Sequence, residues 1–213
     1  MTDESRGADR LRGNGVALVR EREMARKVQA ALGRLYVLEA TCDVGDYIAP
    51  AESGERETLL LREQDDGIEV SLRLAPLTPS ASGDGLELDG VCQLIEGVSH
   101  FVYLAERAKT DRPTTQLELE IQAEVDKYVV LAASLPELDV EASGRLRRRL
   151  YEGVAYTHAP ASEQGERYRL ANSVATRFTH RLERECVAHG RFRELRGALR
   201  SFFRMGQSDK LRA

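Results

Sequence analysis

Apolar side chains return at helical spacing along most of this chain, and the pattern predicts a mainly helical protein. Between about Val16 and Ala40 they recur every three or four residues, as on one face of an amphipathic helix. The same period returns over residues 91–204, in segments separated by glycine or proline. We therefore expect about six helices, one at 16–40 and the others within 91–204.

A two-residue alternation replaces the helical period between residues 57 and 75. Ile68, Val70 and Leu72 alternate with polar residues, and Asp65-Asp66-Gly67 separates them from an earlier apolar run. This arrangement predicts a single short antiparallel β-hairpin. The following residues, 76–90, are rich in Pro, Gly and Ser and are predicted to form a loop. The expected fold class is α+β, mainly α-helical.

Length and composition favour one folded domain. A chain of 213 residues with 42% hydrophobic and 31% charged residues can bury a core without metals or disulfides. We expect a disordered N-terminal tail over 1–14 and a single domain over 15–213. The polar N-terminus and the lack of a long apolar run predict a cytoplasmic location and no membrane partner.

The segment from Thr115 to Ala133 has the clearest helix signal. Thr115 and Glu118 have the T-x-x-E spacing of a capping box, in which the hydroxyl caps the helix and the carboxylate reaches back. At 100° per residue, Ile121 and Val125 belong to one apolar stripe and Ala123 to a second. Two apolar sides predict a helix packed between other elements.

Polar residues on this helix and its predecessor form the one constellation that resembles an active site. Glu120, Glu124 and Lys127 fall between the two stripes, and we expect Lys127 or an arginine from a neighbouring helix to pair with Glu124, most simply as a structural ion-pair cluster. Glu96 and His100 share the face opposite the apolar stripe of the preceding helix, a position that is normally solvated. Alternatively, that face meets Glu120 and Glu124 and forms a pocket.

The sequence offers no clear cofactor or metal signature. Di-metal carboxylate bundles use Glu-x-x-His on two helices, whereas this chain has Glu96-x-x-x-His100 once. The cysteines, Cys42, Cys92 and Cys186, are far apart and form no CxxC pair, so they are interpreted as reduced packing residues. We therefore expect no cofactor and no metal.

Charge is unevenly distributed along the chain. Residues 145–213 contain 16 Lys/Arg against 7 Asp/Glu, which leaves 15 against 28 in residues 1–144. A basic surface that includes Arg148, Arg181 and Arg196 could bind an anionic partner. Nucleic acid is possible but disfavoured, because the phenylalanines among these arginines fall on apolar stripes, where they cannot stack on bases.

These observations order three functions. The first is a non-enzymatic interaction or adaptor protein whose partner is another protein, favoured by the missing catalytic motifs and the polarised charge. The second is an enzyme or small-ligand binder that uses the Glu/His/Lys cluster at a helix interface. The third is a nucleic-acid binder that uses the arginine-rich last third.

Overall fold

The computed structural model describes residues 7–39, 42–52, 55–64, 67–81, 85–154 and 157–213. These ranges contain seven α-helices and a three-stranded sheet. In chain order the elements are α1 Gly7–Tyr36, β1 Ile48–Pro50, β2 Thr58–Gln64, β3 Gly67–Leu74, α2 Leu88–Lys109, α3 Gln116–Ala132, α4 Val140–Tyr151, α5 Glu163–Glu185, α6 Phe192–Arg204 and α7 Gln207–Arg212. The predicted class, α+β and mainly α, is confirmed.

The sheet is mixed, so the prediction of a lone antiparallel hairpin was incomplete. β2 and β3 do form that hairpin, with Leu61 opposite Val70, while its turn residues 65–66 lie outside the described part of the chain. β1 adds a third strand parallel to β3, with Ile48 opposite Leu72. β1 has only three residues, too few to show an alternation of apolar and polar side chains. Its last residue is a proline, which is tolerated at a sheet edge.

The first helix is longer at its start and shorter at its end than expected. α1 includes residues 7–14, where we expected a disordered tail; residues 1–6 of that tail lie outside the described part. Ala8, Arg10 and Leu11 favour helix, and extending an existing helix costs little. At the other end Val37 has a φ of 57°, and the Leu38 amide donates to the Gly33 carbonyl. This left-handed residue ends the helix before Ala40.

α3 lies in the middle of the fold, as its two apolar stripes predicted. Ten of its 17 residues are buried, against 11 of 22 in α2. Ile121 and Val125 are fully buried, and Ala123 on the second stripe is 1% exposed. α3 packs against α2 and α5 and also contacts α1, α4 and α7.

The start of α3 is capped as predicted by its threonine but not by its glutamate. The Thr115 hydroxyl accepts from the Glu118 amide at 3.1 Å. The Glu118 carboxylate does not reach back to Thr115; it accepts instead from the Arg107 guanidinium and from the Gln207 amide. Glu118 thereby joins α2 and α3 to the start of α7.

α7, the seventh helix, was not predicted. Its six residues are mostly polar, but Lys210 is fully buried and its ammonium donates to Gln122 in α3. Among the described residues, no helix is long and apolar enough to cross a membrane.

Candidate functional site

The facing sides of α2 and α3 bring together all five residues of the predicted polar cluster. His100 is only 8% exposed, and the Glu96 side chain is 13% exposed. The expectation that both face water was wrong, because α2 is covered by α3 as well as by α1 and the sheet. The face opposite its apolar stripe is therefore an interface, and the alternative arrangement is the one observed.

Lys127 joins the two helices. Its ammonium lies 2.8 Å from Glu124 Oε1 in the same helix and 3.1 Å from Glu96 Oε2 across the interface. The Tyr151 hydroxyl of α4 also donates to the Glu124 carbonyl at 2.9 Å. The expected pairing of Glu124 with Lys127 is present, and Glu96 is a second carboxylate on the same cation.

His100 lies between two carboxylates from different elements. Its Nδ1 is 3.5 Å from Glu57 Oε1, and its Nε2 is 3.8 Å from Glu120 Oε2. Glu57 precedes β2 and lies against α2 at Gly97, which has no side chain. A Cβ at position 97 would lie 2.8 Å from Glu57 Cγ, which is too close. Gly97, one helical turn before His100, therefore leaves the space in which Glu57 contacts the cluster.

α5 contributes residues that the sequence analysis did not single out. Arg167 Nε lies 3.8 Å from Glu120 Oε1, and Tyr168 lies beside it with its ring stacked on His158. No signal in the sequence pointed to Glu57 or Arg167, because each joins the cluster only through long-range packing. The cluster, defined here as Glu57, Glu96, His100, Glu120, Glu124, Lys127 and Arg167, thus draws on three helices and the segment before β2.

Burial and neighbouring charges shift the ionisation of this cluster. Burial, together with Glu96 and Glu57, raises the pKa of Glu120 to about 7. Burial also raises the pKa of Glu124, although Lys127 opposes the change. Burial disfavours the charged form of His100, but the carboxylates of Glu57, Glu120 and Glu96 prevail and raise its pKa to about 9.

The pKa values of Lys127 and the neighbouring Cys92 are also raised, whereas that of Glu96 is lowered. Burial opposes the charge of Lys127, yet Glu96 and Glu124 raise its pKa well above the usual value. Burial would raise the pKa of Glu96, but Lys127 and His100 lower it. Burial raises the pKa of Cys92 to about 11, so this thiol stays protonated and is no nucleophile at neutral pH.

Several buried polar atoms of the cluster have no hydrogen-bond partner. They are Glu57 Oε1, His100 Nε2 and Arg167 Nε. At 3.5–3.8 Å, their charged neighbours are too far for good hydrogen bonds. Glu96, His100 and Glu120 also each offer one ligand atom within 4.8 Å of the others, the arrangement that could hold a metal ion.

A cavity of about 750 Å³ opens above the cluster. Its floor includes Glu57, Glu96, Glu124 and Lys127, and this volume is in the range of sites for small molecules. Other lining residues come from the segment before β2, from α2, α4 and α5, and from the α4–α5 connection; they include Arg56, Asp89, Cys92, Arg149, His158, Gln164, Tyr168 and Asn172. His100 and Glu120 are not among the residues that line the cavity.

The arginines predicted to form a basic surface do not lie together with the cluster. Arg148 and Arg196 are exposed and form no ion pair with the described residues. Arg181 donates to the Ala213 main-chain oxygen at 2.7 Å and lies over the Phe178 ring. Binding of an anionic partner by these three residues stays a prediction.

Comparison with known proteins found no relative. No family model, no curated protein and no solved structure matches this chain.

Proposed function

We propose that this protein is an enzyme that binds a small anionic molecule in the cavity between α2, α4 and α5. The observation that carries the proposal is the cluster of four carboxylates, a histidine, a lysine and an arginine next to that cavity, each with a side chain no more than 14% exposed. Groups with shifted pKa values in a concave site are typical of acid–base catalysis. This proposal is the second of the three functions that the sequence suggests.

The two sides of the cavity suit different parts of a ligand. On the floor, Lys127 is engaged by Glu96 and Glu124. On the wall, Arg149 forms no ion pair with the described residues, and His158 lies nearby in the lining. An anionic group of the ligand would bind Arg149 and His158, since a guanidinium suits phosphate or carboxylate oxygens.

The floor would then supply the chemistry. Glu124 and Lys127 share a hydrogen bond in a place that is poorly solvated and yet lines the cavity. A ligand group that displaces one partner would find the other as a proton donor or acceptor within reach. The reaction class we propose is therefore proton transfer on a small polar substrate.

The exposed apolar surface supports the adaptor function less well. Large exposed hydrophobic side chains of the described residues are dispersed over several elements: Val19, Val37, Leu60, Leu61, Val140, Val154, Leu170 and Phe192. A protein-binding surface is typically a contiguous apolar patch, and only Leu60 and Leu61 are adjacent in the chain. Interaction with a protein partner is thus the weaker proposal.

Calorimetric titration of the full chain with pyrophosphate and with citrate tests this function. We expect saturable binding of at least one probe, weakened about tenfold in Arg149→Ala by loss of a charge-assisted hydrogen bond. Arg148→Ala is the matched control, because Arg148 is the adjacent exposed arginine of α4 and does not line the cavity. No saturable binding of either probe, or equal weakening in both variants, would contradict the proposal.

A further inference from the structure

We infer that the cluster holds one divalent first-row metal cation, with Glu96, Glu120 and Nε2 of His100 as its ligands. The cation site depends on the geometry of these three side chains. Only its action on a bound substrate rests on the proposed function.

The histidine provides the observation that points to a missing ligand. His100 is 8% exposed, and its buried Nε2 has no hydrogen-bond partner while it faces Glu120 Oε2 at 3.8 Å. A buried nitrogen without a partner is costly, so such an atom calls for an explanation. A cation bound to both atoms at about 2.1 Å would bring them about 3.0–3.5 Å apart. A small movement of either side chain achieves this.

The charges of the cluster also favour a cation. Four carboxylates are buried or nearly buried here, against three cations among the described residues of the cluster: Lys127, Arg167 and the protonated form of His100, whose proton a metal bound at Nε2 would replace with a double charge. Carboxylates that leave water need compensating positive charge. A divalent cation would supply it at the point where ligand atoms of Glu96, His100 and Glu120 lie within 4.8 Å of one another.

The surroundings of the three ligands resemble an outer coordination shell. Metal-bound histidines usually donate their other ring N–H to a carboxylate, and Glu57 Oε1 lies 3.5 Å from Nδ1 of His100. The Glu57 side chain is itself only 7% exposed. Arg167 lies on the Oε1 side of Glu120, which leaves Oε2 directed to the metal position.

The donor set selects the kind of cation. Two carboxylates and one imidazole suit Mn²⁺, Fe²⁺ or Zn²⁺, whereas Mg²⁺ prefers oxygen ligands and water. Three protein ligands leave coordination positions open, as in catalytic and not structural sites. Because Glu96 also lines the cavity, an open position would face a bound substrate.

This inference reverses the expectation of no metal drawn from the sequence. The Glu-x-x-x-His spacing of Glu96 and His100 departs from the Glu-x-x-His of known carboxylate bundles. The third ligand, however, comes from a different helix, and its position is set by the packing of α3 on α2. Spacing within one helix could not indicate it.

Titration of the chelator-treated full chain with Mn²⁺ tests the site. Binding is monitored by calorimetry and by the loss of the electron paramagnetic resonance signal of free Mn²⁺. Mn²⁺ is the suitable probe because it binds thiols poorly, so the free cysteines do not compete. We expect one Mn²⁺ per chain with a dissociation constant below about 100 μM. Glu120→Gln and His100→Gln should each weaken binding at least tenfold, by about the factor seen on loss of a metal-site residue.

Glu183→Gln is the matched control. Glu183 is also a buried carboxylate, 5% exposed, but it pairs with Arg147 at 2.9 Å away from the cluster. Its replacement should leave Mn²⁺ affinity within about threefold of wild type. Circular dichroism checks that each variant is folded, and His100→Gln decides the question if Glu120→Gln does not fold.

Two results would overturn the inference. One is the absence of saturable Mn²⁺ binding to folded wild-type protein, and the other is undiminished binding in both ligand variants. The anion titration with pyrophosphate and citrate is done on chelator-treated protein, so the two proposals fail separately. Anion binding without Mn²⁺ binding would leave the proposed function standing and remove the metal site.

Discussion

At the scale of single residues, the described structure holds some of its buried charged groups by surrounding them with several partners. Glu118 shows this outside the cluster, since it accepts from Arg107, Tyr103 and the Gln207 amide. Lys210 is a contrasting case. Its ammonium donates to the neutral Gln122 and lies 4.6 Å from the ring centres of Tyr103 and Phe202.

Lys210 should make stability depend on pH. Burial lowers its pKa from 10.5 to about 7, so between these values the unfolded chain binds one more proton than the folded protein. The contribution of Lys210 to the free energy of unfolding is therefore lowest below about pH 7 and rises toward pH 10. Lys210→Met should reduce the slope of unfolding free energy by up to about 1.4 kcal/mol per pH unit over this window.

Urea unfolding between pH 7 and 10 measures that slope. Lys109→Met is the control, because Lys109 is exposed at the end of α2 and its replacement should leave the slope unchanged. Equal slopes in wild type and Lys210→Met would show that the ammonium is not desolvated as described.

At the scale of elements, local patterns predicted what each segment forms but not how the segments face each other. The helical period located α2, α3, α5 and α6, and the alternation located β2 and β3. The pattern on α2 has one apolar stripe, which predicts a solvated opposite face. That inference failed because packing on several sides buries a polar face when the neighbouring helix supplies matching charges.

The site was predicted in the same partial way. Glu120, Glu124 and Lys127 were identified because polar residues between two apolar stripes have to be paired. Glu57 and Arg167 were missed because their roles depend on contacts between residues far apart in the chain. β1 and α7 were missed because each is too short to show a period.

The central position of α3 leads to a prediction about its apolar residues. Ile121→Ala and Val125→Ala should each reduce the free energy of unfolding by about 1–4 kcal/mol, since both side chains are fully buried. Val130→Ala, at a half-buried position of the same helix, should cost less. An unchanged urea midpoint in both core variants would contradict this placement of α3.

At the scale of the whole molecule, several arginines of the basic last third form main-chain contacts within the fold. Arg177 and Arg181 donate to main-chain oxygens of Leu211 and Ala213, and Arg200 donates to the Leu35 carbonyl in α1. These arginines fix the last segment of the chain and the end of α1. The excess positive charge of residues 145–213 is therefore not by itself evidence for a polyanion partner.

The acidic excess has a different consequence, because part of it is concentrated in the cluster. A protein that buries unmatched carboxylates for function holds them at a cost in stability, and removing one such charge often stabilises the fold. A structural ion-pair network behaves in the opposite way, since loss of one partner leaves another buried charge uncompensated. The two accounts of the cluster therefore predict opposite signs for the same substitution.

The free energy of unfolding of chelator-treated Glu120→Gln, measured in urea at about pH 8, is the most direct test of a functional cluster. Burial raises the pKa of Glu120, which means that its ionised form is disfavoured in the folded protein. We predict that the neutral glutamine leaves stability unchanged or raises it by about 1 kcal/mol. A loss of about 3 kcal/mol or more would contradict the account and identify the cluster as a structural ion-pair network.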